Sequence, residues 1–220
     1  AKVVLHGDNY NEAALHAKNL CESEDLIYIP PYDDVDVIAG QGTIGMEIVN
    51  QHSQPLDAIF IPVGGGGLVA GVAAYVKYLH PETKIIGVEA EGSNCLDAAM
   101  KAGRRVSLPI DKLDLFADGV SVAQIGKETF KIAKRYVDDV VVVNVDEICA
   151  AIKDVFEDTR CVAEPAGALA IAGMKRYVDA NPGMSHVVSI VSGANVNFDR
   201  LRHISERAEV GESREAILRG

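Results

Sequence analysis

The sequence lacks any apolar run near the roughly 20 residues that a membrane-spanning helix needs. It is also poor in positive charge, with 21 Lys and Arg against 32 Asp and Glu and a net charge of -11. An acidic surface repels the phosphates of nucleic acid. We therefore predict a globular protein without a membrane or nucleic-acid partner, in which an anionic ligand must be captured by a local group of donors.

Closely spaced cysteines are absent as well. The four thiols form no C-x-x-C motif and are too sparse for a secreted disulfide framework; they are Cys21, Cys95, Cys149 and Cys161. This usage is typical of reduced cysteines, and we predict a cytoplasmic protein. The sequence opens at Ala1 without a methionine or a signal-peptide pattern, so we interpret it as beginning inside a longer chain.

What the sequence does contain is a series of short apolar runs separated by helical patterns. Predicted strands lie at 58–63, 84–89, 140–145 and 187–191, and predicted helices at 68–79, 95–102, 127–137, 146–160 and 166–180. Uninterrupted apolar strands between helices are typical of a parallel sheet covered on both faces. We therefore predict an α/β fold with an open, mostly parallel sheet and helices on both faces.

The two ends of the chain are less regular. At the start we predict strands at 2–5 and 26–29, a helix at 12–20, and a glycine-containing stretch at 38–50 that turns helical. Alternating charges after the last strand predict an exposed helix or tail. A change in composition near 51–56 suggests a division into residues 1–50 and 51–220.

Four consecutive glycines, Gly64 to Gly67, join the strand at 58–63 to the helix that follows; we call residues 64–67 the glycine loop. Glycine lets the backbone approach a ligand closely, and free N–H groups at a helix start attract a phosphate. The G-x-G-x-x-G fingerprint fails at Val69, and a P-loop would need a lysine well before Lys77. A turn that merely lets strand and helix pack closely remains the alternative.

Ser192 is the second candidate, because it follows the strand at 187–191 and precedes a glycine. Ligands of open α/β sheets bind beyond the carboxyl ends of the strands, so Ser192 and the glycine loop could face one ligand. A hydroxyl would hydrogen-bond a ring nitrogen and leave it neutral. An ordinary turn or cap serine is the alternative.

Five segments carry a resemblance to a known family. They are 62–68 (PVGGGGL), 192–195 (SGAN), 116–120 (FADGV), 163–168 (AEPAGA) and 39–43 (AGQGT). With them the sequence resembles the fold-type II pyridoxal 5'-phosphate (PLP) enzymes, whose fold is tryptophan synthase beta-like, and among these the biosynthetic threonine dehydratases. The resemblance runs from end to end of the chain.

The resemblance implies PLP as the cofactor and assigns residues to it. Its phosphate would be held by the glycine loop and Leu68, and its pyridine nitrogen by Ser192, with Gly193 and Glu164 nearby. Glu164 has an ordinary alternative role as a favourable charge in the first turn of a helix. Residues 1–50 would be the remainder of a small domain, and 51–220 the large PLP-binding domain.

The resemblance also indicates what lies outside these residues. The family's Schiff-base lysine segment would precede Ala1 and its regulatory domain would follow residue 220, and no lysine in this chain has the family's surroundings. We therefore assign no catalytic residue here. Related racemases bind a divalent cation near the position of Glu89, but Cys95 replaces an expected carboxylate, which argues against a metal.

The activity implied is the conversion of L-threonine to 2-oxobutanoate and ammonia in isoleucine biosynthesis, with L-serine as a second substrate and a homo-oligomeric enzyme. The isolated chain is expected to bind PLP without turnover. Two alternatives stay open: another PLP-dependent β-elimination or β-replacement enzyme such as serine dehydratase, and a non-catalytic PLP- or phosphate-binding module.

Overall fold

The computed structural model describes residues 2–8 and 10–212. The chain divides into two compact units, Ala1–Pro31 and Tyr32–Gly220. The division at residue 50, which refers to the domains of longer relatives, remains a prediction.

The first unit contains one helix, α1 (Tyr10–Glu24). The strands predicted at 2–5 and 26–29 are wrong, since both segments are irregular and their apolar side chains are exposed, Val3 by 80% and Ile27 by 88%. Branched apolar residues favour a strand only where a neighbouring strand and a packed face are available.

The second unit is a parallel four-stranded sheet with helices packed on it. The strands are β1 (Ala58–Pro62), β2 (Lys84–Ala90), β3 (Asp139–Val143) and β4 (Val187–Ser189). The helices are α2 (Val35–Gln51), α3 (Gly67–Leu79), α4 (Cys95–Ala102), α5 (Lys127–Tyr136), α6 (Val145–Thr159), α7 (Pro165–Ala180) and α8 (Arg200–Gly211). The strand order is β3-β2-β1-β4 and every pairing is parallel, so the predicted fold is confirmed.

Alternate side chains of β1 supply two apolar cores, one on each face of the sheet. Phe60 belongs to a core shared with α6, α7 and α8, whereas Ile59 and Ile61 belong to a core shared with α3, α4 and α5. All three side chains are fully buried. A strand covered on both faces needs no polar residues, which is why this run is uninterrupted.

Helix α2 begins three residues before the predicted stretch and includes its glycines. A Cβ built on Gly71 of α3 would lie 2.3 Å from the carbonyl oxygen of Ile38, and one on Gly42 would lie 3.2 Å from the carbonyl of Gly71. Gly42 therefore lets the backbones of α2 and α3 approach each other, and the stretch is helical rather than a loop.

The C-terminal helix α8 is docked and not merely exposed. Ile204 and Ala208 are buried in the core on the α6 side, and Arg207 pairs with Asp146 of α6. Within the part of the chain that the structure describes, no helix combines the length and apolar character required to cross a membrane.

Candidate anion-binding site

The glycine loop and Ser192 lie beyond the carboxyl ends of neighbouring parallel strands. Phe60 of β1 pairs with Ser189 of β4, and both chains run on toward the same edge of the sheet. Ser192 is exposed there and Gly193 is half-buried. The two predicted candidates are therefore at one edge, as the rule for open α/β sheets requires.

Close neighbours leave no room for side chains in the glycine loop. A Cβ on Gly64 would lie 2.9 Å from the Cα of Val120, and one on Gly65 would lie 2.3 Å from the ring of Tyr32. Gly66 precedes α3 with φ +93°, a conformation that costs other residues roughly 1 kcal/mol or more. The loop thus has a tightly fixed path.

The acceptors of this loop are engaged by the protein, but its donors are not. The carbonyl of Gly65 accepts from the N–H of Gly126 (3.1 Å) and from Oγ1 of Thr129 (2.8 Å), and the carbonyl of Gly64 accepts from Sγ of Cys95 (3.5 Å). No acceptor for the N–H groups of residues 64–68 is found among residues 2–8 and 10–212. Unpaired donors at the start of a helix form an anion receptor.

Helix α5 begins beside this loop and is capped from a distant segment. The carboxylate of Asp33 accepts from the N–H groups of Lys127 (2.7 Å), Glu128 (2.8 Å) and Thr129 (3.3 Å). Burial alone would raise the pKa of Asp33, but these three donors, aided by Arg105, lower it below its ordinary value. Asp33 is therefore a carboxylate at neutral pH.

Helix α4 also begins beside the loop and is also capped by a carboxyl group. Glu89 is fully buried and accepts from the N–H groups of Leu96 (2.7 Å) and Asp97 (2.8 Å). Burial raises the pKa of Glu89 to about 8 and also raises that of the Cys95 thiol.

The side chain of Glu89 contacts backbone donors at the start of α4. In the described ranges no group of three or more His, Cys, Asp or Glu side chains is placed to hold a metal ion. Both carboxyl oxygens of Glu89 are instead engaged with backbone donors, so the side chain acts as a helix cap. That the protein uses no metal stays a prediction.

The segment at 163–168 meets the segment at 192–195. The N–H of Glu164 donates to the carbonyl of Gly193 (3.1 Å), and a Cβ on Gly193 would lie 2.0 Å from Oε1 of Glu164. Glu164 is the N-cap residue of α7 and its side chain makes no capping hydrogen bond, so its alternative role as a favourable charge at the helix start stays a prediction. A Cβ on Gly119 would lie 3.1 Å from that of Ala166, which places the segment at 116–120 alongside.

Several residues at this edge were not anticipated from the sequence. They are Tyr32, Asp33, Cys95 and Thr129, which reach the loop or the helix starts beside it. None belongs to a local motif that includes the glycines, and Asp33 and Thr129 are 96 residues apart along the chain. Such contacts depend on the tertiary fold and leave no short-range signal.

Fold and loop together define an α/β protein with a candidate anion-binding loop at the carboxyl edge of a parallel sheet. Residues 1–193 match the family model "Pyridoxal-phosphate dependent enzyme", and the chain belongs to this family. It is 54% identical over 218 residues to a biosynthetic L-threonine dehydratase of Pasteurella multocida, covering 99% of this chain and 42% of that protein. A chloroplastic biosynthetic threonine dehydratase of Arabidopsis thaliana is 54% identical over 224 residues, which cover 99% of this chain and 37% of that protein.

Solved structures give the same relationship. The processed form of threonine deaminase isoform 2 from Solanum lycopersicum has a TM-score of 0.89 and 47% identity, covering 94% of this chain and 60% of that one. Serine racemase from Dictyostelium discoideum has a TM-score of 0.79 and 33% identity, covering 90% and 62%. The chain spans less than half the length of the two curated relatives named above.

Proposed function

We propose that the full gene product converts L-threonine to 2-oxobutanoate and ammonia with PLP as cofactor, and that this chain supplies most of the PLP-binding domain. The observation that carries the proposal is the glycine loop, whose carbonyls are occupied while its N–H groups are left for an anion. The relatives to which the chain is 54% identical are named threonine dehydratases, which supports threonine rather than serine as the main substrate.

In this proposal the chain's own residues bind and orient the cofactor. The N–H groups of Gly64, Gly65, Gly66, Gly67 and Leu68 hold the phosphate, assisted by the positive end of the α3 dipole. The Ser192 hydroxyl meets the pyridine nitrogen as a neutral partner, and Glu164 and Gly193 lie alongside. When bound, PLP supplies an electron sink for negative charge at the substrate α-carbon.

The reactive lysine is proposed to lie outside residues 1–220. Four lysines on helices are engaged in ion pairs with carboxylates: Lys77 with Asp138, Lys101 with Asp97, Lys153 with Glu209 and Glu212, and Lys175 with Asp154. A lysine that acts as base and forms an imine must be able to lose its proton, which a neighbouring carboxylate opposes.

Three further parts of the proposal concern the whole protein. Residues 1–50 complete a small domain and 51–220 a large one; the enzyme is a homo-oligomer; and it serves isoleucine biosynthesis in the cytoplasm. Light scattering of the full gene product measures the oligomeric state. Location needs a direct test, because relatives are named as chloroplastic in Arabidopsis thaliana and mitochondrial in Saccharomyces cerevisiae.

The central experiment assays 2-oxo acid formation from threonine and serine by the full gene product and by residues 1–220 alone. We expect turnover, with threonine preferred, only in the full product. Turnover by residues 1–220 would show that one of the lysines in this chain is catalytic. If the upstream coding sequence lacks the lysine segment and neither protein turns over, the non-catalytic module is the correct alternative.

A matched pair of glycine variants tests the loop itself. Gly66→Ala forces a side chain into a positive-φ position beside Thr129, whereas Gly103→Ala does so at φ +68° with no atom within 4 Å. We expect only Gly66→Ala to lose the preference for PLP over pyridoxal, which lacks the phosphate. Equal binding of PLP and pyridoxal by the unaltered protein would refute the phosphate assignment.

A further inference from the structure

We propose that Asp33 is a positioning residue for the glycine loop: it fixes the start of α5, and the first turn of α5 in turn fixes the backbone of Gly65. The inference rests on the proposed function, in which the loop binds the cofactor phosphate. It adds to that function a residue that touches neither the loop nor the phosphate.

Helix α5 has no cap of its own. Its N-cap residue is Gly126, which has no side chain to accept the first N–H groups. Asp33 takes over this role with both carboxyl oxygens, although it is 94 residues from Lys127 in the sequence. A Cβ on Gly126 would lie 2.5 Å from Oδ1 of Asp33, so the missing side chain leaves the place that the remote carboxylate fills.

The same turn of α5 holds the loop. Oδ1 of Asp33 accepts from the N–H of Thr129, and the Oγ1 of Thr129 donates to the carbonyl of Gly65 at 2.8 Å. The N–H of Gly126 reaches that carbonyl as well, at 3.1 Å. Thr129 is fully buried, so water cannot replace its hydroxyl without a rearrangement. A shift of this turn therefore changes the direction of the peptide groups in the loop.

The residues on either side of Asp33 contribute to the arrangement in different ways. The ring of Tyr32 packs against Gly65 and its Cβ approaches Gly67, so the loop is enclosed on that side too. Asp34 caps α2 by accepting from Asp36 (2.9 Å) and Val37 (3.2 Å). Asp34 is thus a helix cap of the same kind without a connection to α5.

The negative charge of Asp33 makes it possible to distinguish a positioning role from an electrostatic one. A carboxylate close to a phosphate site repels the phosphate, so a purely electrostatic role would make its removal tighten binding. Removal of a positioning residue should weaken binding instead. The two roles predict opposite signs for one measurement.

The test measures the dissociation constants of PLP and pyridoxal by equilibrium dialysis on the full gene product. Free pyridoxal closes to an internal hemiacetal that PLP cannot form, which weakens its binding by the same factor in every variant. A change in the affinity ratio between variants therefore reports the phosphate contribution. For Asp33→Ala we expect this ratio to fall about tenfold, a loss of about 1.4 kcal/mol in phosphate binding. For the control Asp34→Ala we expect the ratio to stay within twofold of the unaltered protein.

Two variants of Thr129 test the connection even if Asp33→Ala does not fold. Thr129→Val removes the hydroxyl while keeping the shape of the side chain and should lower the affinity ratio. Thr129→Ser keeps the hydroxyl and should have the ratio of the unaltered protein. An unchanged or increased ratio in Asp33→Ala, or an equal fall in Asp34→Ala, would overturn the proposal. A ratio near one in the unaltered protein would instead overturn the proposed function.

Discussion

The two helices that begin beside the glycine loop, α5 and α4, are capped by carboxyl groups whose pKa values are shifted in opposite directions. At α5 the half-buried Asp33 accepts three N–H groups and has a lowered pKa. At α4 the fully buried Glu89 accepts two, and burial raises its pKa to about 8. Similar hydrogen bonds thus give opposite outcomes, because loss of hydration outweighs two backbone donors in the interior but not three donors near the surface.

The two caps are therefore expected to respond to pH in opposite directions. Between about pH 4.5 and 8 the folded protein keeps a proton on Glu89 that the unfolded chain has lost, so stability from this group falls as pH rises. Asp33 binds its proton more weakly when folded, so its contribution is full above the ordinary pKa of about 4 and is lost as pH falls through the lowered value.

The largest effect is expected from removing the buried cap. Glu89→Ala leaves the N–H groups of Leu96 and Asp97 without an acceptor and opens a cavity, which should lower the free energy of unfolding by about 3 kcal/mol. Glu89→Gln keeps one of the two acceptor oxygens and leaves one N–H group unpaired, so it should lower the free energy of unfolding by about 1 to 2 kcal/mol at pH 7, less than Glu89→Ala. Urea unfolding measures both, with the exposed Glu82→Gln as control. Equal losses in the Ala and Gln variants would mean that the acceptor oxygen kept by Gln does not stabilise the start of α4.

The next effect is the pH dependence that belongs to Glu89. The stability of the unaltered protein minus that of Glu89→Gln should fall by about 2 kcal/mol between about pH 5 and pH 7, since only the unaltered protein can ionise at this position. Urea unfolding at several pH values gives this difference directly. A difference that rises with pH would show that the two N–H groups outweigh burial, and the contrast with Asp33 would disappear.

Asp33 should have a smaller effect on stability. Asp33→Ala removes a partly exposed cap and should lower the free energy of unfolding by about 1 kcal/mol at pH 7. The loss should shrink as pH falls below about 4, where the unaltered protein also loses the carboxylate. Thermal unfolding of both proteins at pH 7 and about pH 3 measures this change. A loss that is the same at both pH values would show that Asp33 stabilises α5 without its charge.

Some features of this region could be predicted from the sequence, whereas the two caps could not. The parallel sheet and the glycine loop at its edge were predictable because apolar periodicity and consecutive glycines are local signals. The position of Ser192 at the same edge was predictable because it directly follows a predicted strand of a parallel sheet. Asp33 was not, because its partners are 94 or more residues away, and the strand predicted at 26–29 failed because apolar residues do not reveal whether a pairing strand exists.

The smallest expected effect tests whether the two helices that begin beside the loop are equally important for positioning it. Cys95 connects α4 to the loop through a thiol that donates to the carbonyl of Gly64 at 3.5 Å, and thiols are weak donors. Cys95→Ala should therefore change the PLP-to-pyridoxal affinity ratio by less than twofold, against a clear fall in Thr129→Val. The same dialysis measurement applies, and Cys161→Ala, at an exposed thiol, is the control. If Cys95→Ala lowered the ratio as much as Thr129→Val, the loop would be positioned from α4 as strongly as from α5, and Asp33 would be only one of two comparable supports.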